Sequence, residues 1–545
     1  MQIFRPWIHH IVLVLLMALL YGQFLENPII FDDLSFFMLD ENGVQPVSSF
    51  HWSLLELRSL PYATLAWTKE WLGLRVINFR VGNLLLHASV VVTLFIFLFR
   101  LLDTVLVNQK HNAISPKLAA FFAALLFALH PVATYAVGYL VQRTIIMATL
   151  FSLLALLAYT HGSMSRKKGW LWAVAPLYYL AVFSKEHAIM LPAAIFALTV
   201  LLHQDWWAKI KERWAVFLVL AAIEVMALLT KKGIIGSAYE INAYWMLRGI
   251  DTQISYPLSV ATQTWLFFKY VALWLLPNPE WMSVDMREPF AKAILSPYLA
   301  AFLIFLSWGG VALWLLRKRG LLGLAGFAML FPWLMFMTEL SVVRIQEEFV
   351  LYRSYLWAAG AFCLLPVVFA RANVRVAIFI LTMIALAMFS ISMERLVTFS
   401  HPVLLWDDAE KLVHGRSDLP GEYRIYYNRG TEYIKVDQYD QAIIDLKRSI
   451  ELFAYQPATY GNLGLAYIKK GEMEQAVRAY DMAIQIDIDQ KHPPNPKYYL
   501  GRASAYEALE NWAAASADYK VACKIANRGC DKTSLPLPET SPKGR

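Results

Sequence analysis

Long apolar runs recur through the first four hundred or so residues, near 8–25, 77–102, 118–137, 141–161, 169–185, 187–203, 214–231, 297–316, 321–338, 354–371 and 374–393. Each can cross roughly 30 Å of hydrocarbon as a helix, so the pattern predicts about eleven transmembrane helices. The first run follows Arg5 and has no small-residue cleavage pattern before Glu26, which reads as a retained helix rather than a signal peptide. One further stretch, Tyr256 to Leu276, is ambiguous. If it does not span, then Arg5, Lys110, Lys117, Arg166-Lys167-Lys168, Lys209, Lys211, Arg213, Arg317-Lys318-Arg319, Arg371 and Arg375 all fall on one side, as basic loop residues tend to. If it does span, the last two clusters switch sides. It is therefore expected to lie as an amphipathic or re-entrant segment on the outer side, with the N-terminus inside and the C-terminal part outside.

Near residue 400 the pattern changes. Lys, Arg, Asp, Glu, Gln and Tyr become interspersed with apolar positions, and a period appears. Gly430 and Gly464, Tyr433 and Tyr467, and Ala442 and Ala476 are each separated by 34 residues. A third copy around Tyr499 to Tyr506, with Ala515, is offset by five further residues, the insert falling near His492 to Pro496. Pairs such as Ala442 with Leu446, Ala476 with Tyr480 and Ala515 with Tyr519 complete the signature of three tetratricopeptide repeats. Such helix pairs stack because none buries its apolar face alone. The expected architecture is all-α: a polytopic membrane domain over 1–398, a linker over 399–421, a repeat solenoid over 422–530 and a tail over 531–545.

Composition agrees with this division. The 545 residues are 58% hydrophobic and 17% charged, outside the range of soluble domains. The net charge of +8 marks topology rather than a nucleic-acid partner, because the basic residues of the first part sit in short clusters between apolar runs. Of three cysteines, Cys363 falls in a membrane run, a small apolar filler. Cys523 and Cys530 would form a bridge in an oxidising compartment, but seven residues of unbroken helix span about 10 Å, so bridging requires the helix to end near Asn527-Arg528-Gly529. No Asn-x-Ser/Thr sequon occurs, which argues against a glycosylated secretory-pathway protein.

The candidate chemistry begins at Asn27 to Phe37, where Asp32 and Asp33 follow the first apolar run amid Ile, Leu and Phe. Ionisable residues at a membrane boundary point to a functional site; the alternative is a helix N-cap. Other polar groups gather at outer-side corners: Phe50 to Leu72, His130-Pro131, Ser184-Lys185-Glu186-His187, the loop Lys232 to Ser255, and Glu339 to Arg353. A transporter would instead place polar groups at mid-membrane depth in matching halves. Outer corners suit an enzyme acting at the membrane surface on a lipid-anchored substrate.

The order of these motifs resembles the transmembrane-and-tetratricopeptide protein O-mannosyltransferases and their bacterial relatives, within the GT-C class of polytopic glycosyltransferases. The matching residues are Asp32-Asp33, Arg58-Ser59-Leu60-Pro61-Tyr62-Ala63-Thr64-Leu65, Asn83 to Ala88 with His87, Ala128-Leu129-His130-Pro131-Val132-Ala133-Thr134, Arg143, Ser184-Lys185-Glu186, Glu348 with Leu351-Tyr352, and the lead-in Trp406-Asp407-Asp408. The chain departs at Leu351-Tyr352-Arg353-Ser354-Tyr355, where the family more often has Leu-Tyr-Leu-Pro-Ser.

The resemblance implies a sugar donor on a polyprenyl phosphate and an acceptor, a protein Ser/Thr, on the periplasmic face of a bacterial inner membrane, with the N-terminus cytoplasmic. Phosphate is a good leaving group, so the needs are a base and cations. Asp33, with Asp32 second, is expected to be that base or to hold a divalent ion such as Mg or Mn through oxygen ligands. Arg58, Arg143, Lys185 and Arg353 are candidates for the phosphate, against the alternative of snorkelling to the interface. Lys185-Glu186 reads equally as a structural ion pair, His130 as a substrate contact or a satisfied helix-end histidine, and Glu347 and Glu348 as acceptor-positioning groups or solvated loop. Trp406-Asp407-Asp408 reads as a cap. The repeats would hold a protein acceptor or partner. Two other functions fit the same architecture: a membrane scaffold that recruits a partner, and a transporter of a lipid-linked substrate.

Overall fold

The computed structural model describes the chain apart from residues 1–6, 39–44, 108–113, 166, 231–251, 346, 417–418, 527–529 and 533–545. The basic residues Arg5, Lys110 and Arg166 and most of the expected outer loop Lys232 to Ser255 therefore lie outside the described residues. All regular structure among the described residues is helical, apart from one isolated bridge between Met286 and Phe349. Two compact units meet in sequence at His401/Pro402.

Among the described residues of the first unit, six helices are long and apolar enough to cross a membrane: Val76–Leu106, Arg143–Ser165, Tyr298–Leu316, Gly320–Leu340, Leu351–Val368 and Val374–Thr398. The number rises to eight if two bent pairs each count as one span. The other runs of the eleven that the apolar pattern predicts form bent or shorter helices, for local reasons. The run 118–137 is broken into Pro116–Ala128 and Pro131–Val137, bent by 62°, because Pro131 cannot continue a helix with its N–H missing. The run 214–231 is joined to Trp206–Glu212 at a 73° bend. The runs beginning at 8, 169 and 187 form the shorter helices Ile8–Tyr21, Lys168–Ser184 and Leu191–Leu202.

The ambiguous stretch is one continuous helix, Ser255–Leu275. Its Ser259, Thr262 and Gln263 side chains face protein rather than water. Ser259 Oγ donates to the Val342 carbonyl and accepts from the Arg344 amide, Thr262 Oγ1 accepts from the Ala291 amide, and Gln263 Nε2 donates to the Glu348 carbonyl.

The second unit contains three antiparallel helix pairs: Tyr423–Lys435 with Tyr439–Leu452, Pro457–Lys470 with Met473–Asp489, and Pro496–Ala508 with Trp512–Ala526. The extra residues of the third period lengthen Met473–Asp489 to 17 residues, against 14 in Tyr439–Leu452, before the chain turns at Pro496. Stacking demands small residues at the crossings. The Tyr480 ring is wedged between two glycines: a Cβ at Gly464 would lie 2.7 Å from it and one at Gly501 2.3 Å. Gly464→Ala gains about 1 kcal/mol of helix propensity but overpacks a ring with no room to retreat, a cost of about 1–3 kcal/mol. A lower thermal midpoint of the repeat unit, read by circular dichroism, is the expected result.

Two expectations in this unit are corrected. The stretch 399–421 is not simply a linker, since Pro402–Val413 is a helix of the second unit whose Leu405, Trp406, Ala409 and Val413 are buried. Asp407 is not a cap; it lies inside that helix and accepts from Arg429 at 3.1 Å. Arg429 also forks onto Asp445 at 2.7 and 2.9 Å, as Arg502 does onto Asp518 at 2.8 and 2.7 Å in the third pair. Cys523 and Cys530 are bridged, with Cα atoms 5.0 Å apart. The described part of the last helix ends at Ala526, and the expected turn at Asn527-Arg528-Gly529 lies outside the described residues. Cys363 is buried and free.

Candidate active site

The two adjacent carboxylates have different surroundings. Residues Phe31–Asp33 form a single turn that leads into Leu34–Phe37, so Asp33 holds the N-cap position, yet its side chain does not cap that helix. It is fully buried. Its two oxygens reach instead to the turn after Pro131–Val137, Oδ2 accepting from the Leu140 amide and Oδ1 from the Val141 amide, each at 2.9 Å. Burial pushes the Asp33 carboxyl up to about 6, against the opposing pull of these two amides and of Arg80. Asp32, one residue earlier, is only half-buried and lines a cavity of about 230 Å³.

The turn that Asp33 grips is held from its other side as well. Arg80 donates to the Gly138 carbonyl at 2.8 Å and to the Asn27 and Pro28 carbonyls at 3.1 and 2.7 Å. Asn83 Nδ2 donates to the Tyr139 and Leu140 carbonyls at 3.0 and 3.3 Å. A buried loop must satisfy its backbone somewhere; here the helix Val76–Leu106 takes the carbonyls and Asp33 takes the amides. The next residue, Gln142, projects into the cavity wall and accepts at Oε1 from Lys185 Nζ at 2.9 Å.

The cavity is lined by Asp32, Arg58, Lys185, Glu186, Arg344, Glu347, Tyr352 and Arg353, with Phe36 and Tyr62 among its aromatic walls. Arg58 grips Glu186, its Nε donating to Oε2 at 3.0 Å and its Nη2 to Oε1. Arg353 donates to Glu347 Oε2 at 2.9 Å and to the buried Glu339 at 3.2 Å. Lys185 differs from these. Its other bond, at 3.4 Å, is to Thr144 Oγ1, and its Nζ stands 4.6 Å from the centre of the Tyr352 ring, so these partners are all neutral. The preceding helix ends at Ser184, leaving Lys185 in the corner outside it. Burial, and then the nearby Arg58, lower its ammonium to about 7.

Two bulky residues here adopt left-handed backbone: Phe31, beside Asp32, at φ 49° and Arg58 at φ 65°. Each costs about 1–3 kcal/mol, and such strain collects at functional sites. Arg58 is kept in place by its amide, which donates to the Phe183 carbonyl at 2.7 Å, tying it to the corner that bears Lys185.

Of the expected site residues, Asp32, Arg58, Lys185, Glu186 and Arg353 converge on the cavity, and Asp33, Arg143, His130 and Glu348 do not line it. Of the two aspartates, Asp32 rather than Asp33 lines the cavity. Arg143 is buried and holds Asn83 Oδ1 at 2.8 Å, the Thr64 and Phe79 carbonyls at 3.1 and 3.0 Å, and the Thr68 hydroxyl at 3.2 Å. It rivets three helices together. His130 accepts from the Val132 amide at 3.2 Å and pairs with the Trp274 carbonyl at 3.1 Å, stacked on that indole, so it is the satisfied helix-end histidine. Glu348 is buried against Arg287, 3.9 Å away, and accepts from the Glu288 amide at 3.1 Å; burial pushes it up to about 8. Gln142, His187, Arg344 and Tyr352 also line the cavity. All four sit at ends of apolar runs, which was the signal available for them.

The Asp32–Asp33 pair does not fit a two-carboxylate cation site, because both oxygens of Asp33 are occupied by amides. No group of three His, Cys, Asp or Glu side chains able to hold a metal converges among the described residues.

Comparison with known proteins extends the picture. Tetratricopeptide repeat models match residues 423–454 and 457–489. "Protein O-mannosyl-transferase TMTC4" of Mus musculus is 27% identical over 248 residues, 39% of this chain and 32% of that protein. Its Homo sapiens counterpart is 27% identical over 259 residues, 41% of this chain and 34% of that protein. The chain resembles the transmembrane-and-tetratricopeptide O-mannosyltransferases. It spans about a third of the length of these O-mannosyl-transferases. The crystal structure of the APC/C hetero-tetramer Cut9-Hcn1 aligns with 87% of this chain and 91% of that one at 13% identity, but its TM-score of 0.21 carries no argument.

Proposed function

We propose that this protein is a GT-C type glycosyltransferase that moves a sugar from a polyprenyl-phosphate donor to a protein Ser/Thr on the periplasmic face of a bacterial inner membrane. The observation that carries the reading is that Asp32 shares one cavity with four cations, of which Lys185 bonds to neutral partners. An ammonium held by an amide, a hydroxyl and a ring face can turn to an incoming phosphate without first breaking an ion pair.

In this mechanism the acceptor hydroxyl attacks the anomeric carbon. The new C–O bond forms as the bond from that carbon to phosphate oxygen breaks, and the electron pair leaves with the phosphate, held by Lys185 and the guanidinium groups. The hydroxyl proton passes to Asp32. With Glu186 and Glu347 each bonded to an arginine, Asp32 acting as the single base serves an inverting displacement. Gln142 orients Lys185, and Asp33 orients Gln142 through the backbone of Leu140 and Val141. Phe36 and Tyr62, with ring centres 5.3 Å apart, offer an apolar lip for the sugar or the isoprenyl chain. The Cys523–Cys530 bridge supports an oxidising, outer location for the repeat unit, where the repeats would present the acceptor protein.

The test is transfer of labelled sugar from polyprenyl-phosphate hexoses to a Ser/Thr peptide by the full-length protein in lipid nanodiscs; absence of transfer from every donor overturns the reading. A pH dependence follows. An amine whose pKa is lowered to about 7 loses its charge as pH rises through that value, while the phosphodiester stays ionised throughout. KM for the donor is expected to rise roughly tenfold from slightly acidic to slightly alkaline pH, the value of one charge-assisted hydrogen bond, and to be flat with pH in Lys185→Met.

A further inference from the structure

Gln142 has more bonding capacity than its hold on Lys185 uses. A charged ammonium can only donate, and Lys185 Nζ lies 2.9 Å from one end of the Gln142 amide. That end is therefore the oxygen, Oε1, and the other is the N–H₂ group, Nε2. Nε2 bonds to none of the described residues. It is not sealed within the protein either: Gln142 is 5% exposed and lines the cavity, so the part of it that stays open faces that space.

The amide is also held still. The Gln142 carbonyl accepts from the Ile145 and Ile146 amides at 3.0 and 3.3 Å, at the start of the helix Arg143–Ser165. Val141 before it is pinned by Asp33, and Arg143 after it by Asn83. Water in the cavity satisfies such a donor until a ligand displaces it, and the ligand must then offer an acceptor in return. The neighbour decides which acceptor. Oε1 and Nε2 hang on one carbon, so an anion that touches the free side of Lys185 Nζ comes within reach of Nε2 as well. A phosphodiester carries two non-bridging oxygens side by side, one for each donor. The arginines of the wall are less free, Arg58 being on Glu186 and Arg353 on Glu339 and Glu347.

We propose that Gln142 Nε2 donates to one non-bridging oxygen of the donor phosphate while Lys185 Nζ donates to the other, so that Gln142 is a substrate-binding residue as well as a support for Lys185. The proposal rests on the glycosyltransferase reading above and adds a neutral ligand to its phosphate site.

The experiment measures binding of polyprenyl monophosphate, which carries no sugar, to the full-length protein in nanodiscs at about pH 6, where Lys185 is charged. Gln142→Met and Lys185→Met are each expected to raise Kd roughly tenfold or more, the value of a hydrogen bond to a charged group. The double variant separates contact from support. A residue that acts only through Lys185 has nothing left to do once Lys185 is Met, whereas a direct ligand keeps its own contribution. Gln142→Met is therefore expected to cost a further factor of roughly ten in the Lys185→Met protein. Gln142→Asn, whose amide is withdrawn by one methylene, is expected to match it and serves in its place where Gln142→Met fails to fold. A double variant within about twofold of Lys185→Met overturns the proposal and leaves the glycosyltransferase reading standing, as does a Gln142 effect that appears only with a sugar-bearing donor. A parent protein that neither binds polyprenyl phosphate nor transfers sugar from any lipid-linked donor overturns both.

Discussion

Asp32→Asn is expected to lower kcat for sugar transfer by roughly 10²- to 10⁴-fold, the contribution of a positioned general base, while leaving the fold intact. Asp32 is half-buried at the cavity, and the amide is close to isosteric, so stability should fall by less than in the Asp33 variant below. Donor affinity should change little, since in the proposed mechanism the cations hold the phosphate. The measurement is single-turnover transfer in nanodiscs beside a thermal melt of the same preparation. Unchanged transfer in the folded variant would remove Asp32 from the chemistry.

Asp33→Asn is expected to act through the fold instead. The variant keeps one acceptor and turns an amide N–H₂ toward a backbone N–H, so one buried donor loses its partner, at a cost of about 1–3 kcal/mol. The loop 138–142 then loosens, and Gln142 with it. A displacement of Lys185 by about 1 Å is enough to cost on the order of 10²-fold in rate. Stability and transfer should thus fall together, and KM for the donor should rise.

The pH dependence of the gap has a definite sign. The folded carboxyl, at about 6, holds its proton more tightly than the unfolded one at about 3.9. Stability present below pH 4 is therefore lost as pH rises through about 6, by roughly 3 kcal/mol at about 1.4 kcal/mol per unit. Asn removes that slope, so parent and variant should differ most near pH 4 and less near pH 7 in parallel melts.

Adjacent in sequence, the two aspartates look interchangeable. What separates them is which one meets the amides of Leu140 and Val141, more than a hundred residues away, and no local pattern carries that. Arg143 is similar: its charge suggested phosphate, but the carbonyls and hydroxyls that surround it come from Thr64, Thr68 and Phe79. Features with short-range causes were legible. The 34-residue spacing announced the helix pairs, because each repeat carries its own small residues at the crossing, and the seven-residue cysteine spacing announced that the last helix must stop before Cys530. The polar corners at the ends of apolar runs located the wall of the cavity, including Lys185, Glu186 and Arg353, because ionisable groups are driven to where the hydrocarbon ends. The 62° bend at His130-Pro131 was not legible, because it lies inside a single apolar run.

An experimental structure of the protein with polyprenyl phosphate bound tests most directly whether the cavity beside Asp32 holds the phosphate of a polyprenyl-linked sugar. Phosphate oxygen is expected within hydrogen-bond distance of Lys185 Nζ, with the isoprenyl chain leaving past Phe36 and Tyr62. A phosphate bound elsewhere, with Lys185 still on Gln142 and Thr144 and the cavity filled only by water, would contradict it.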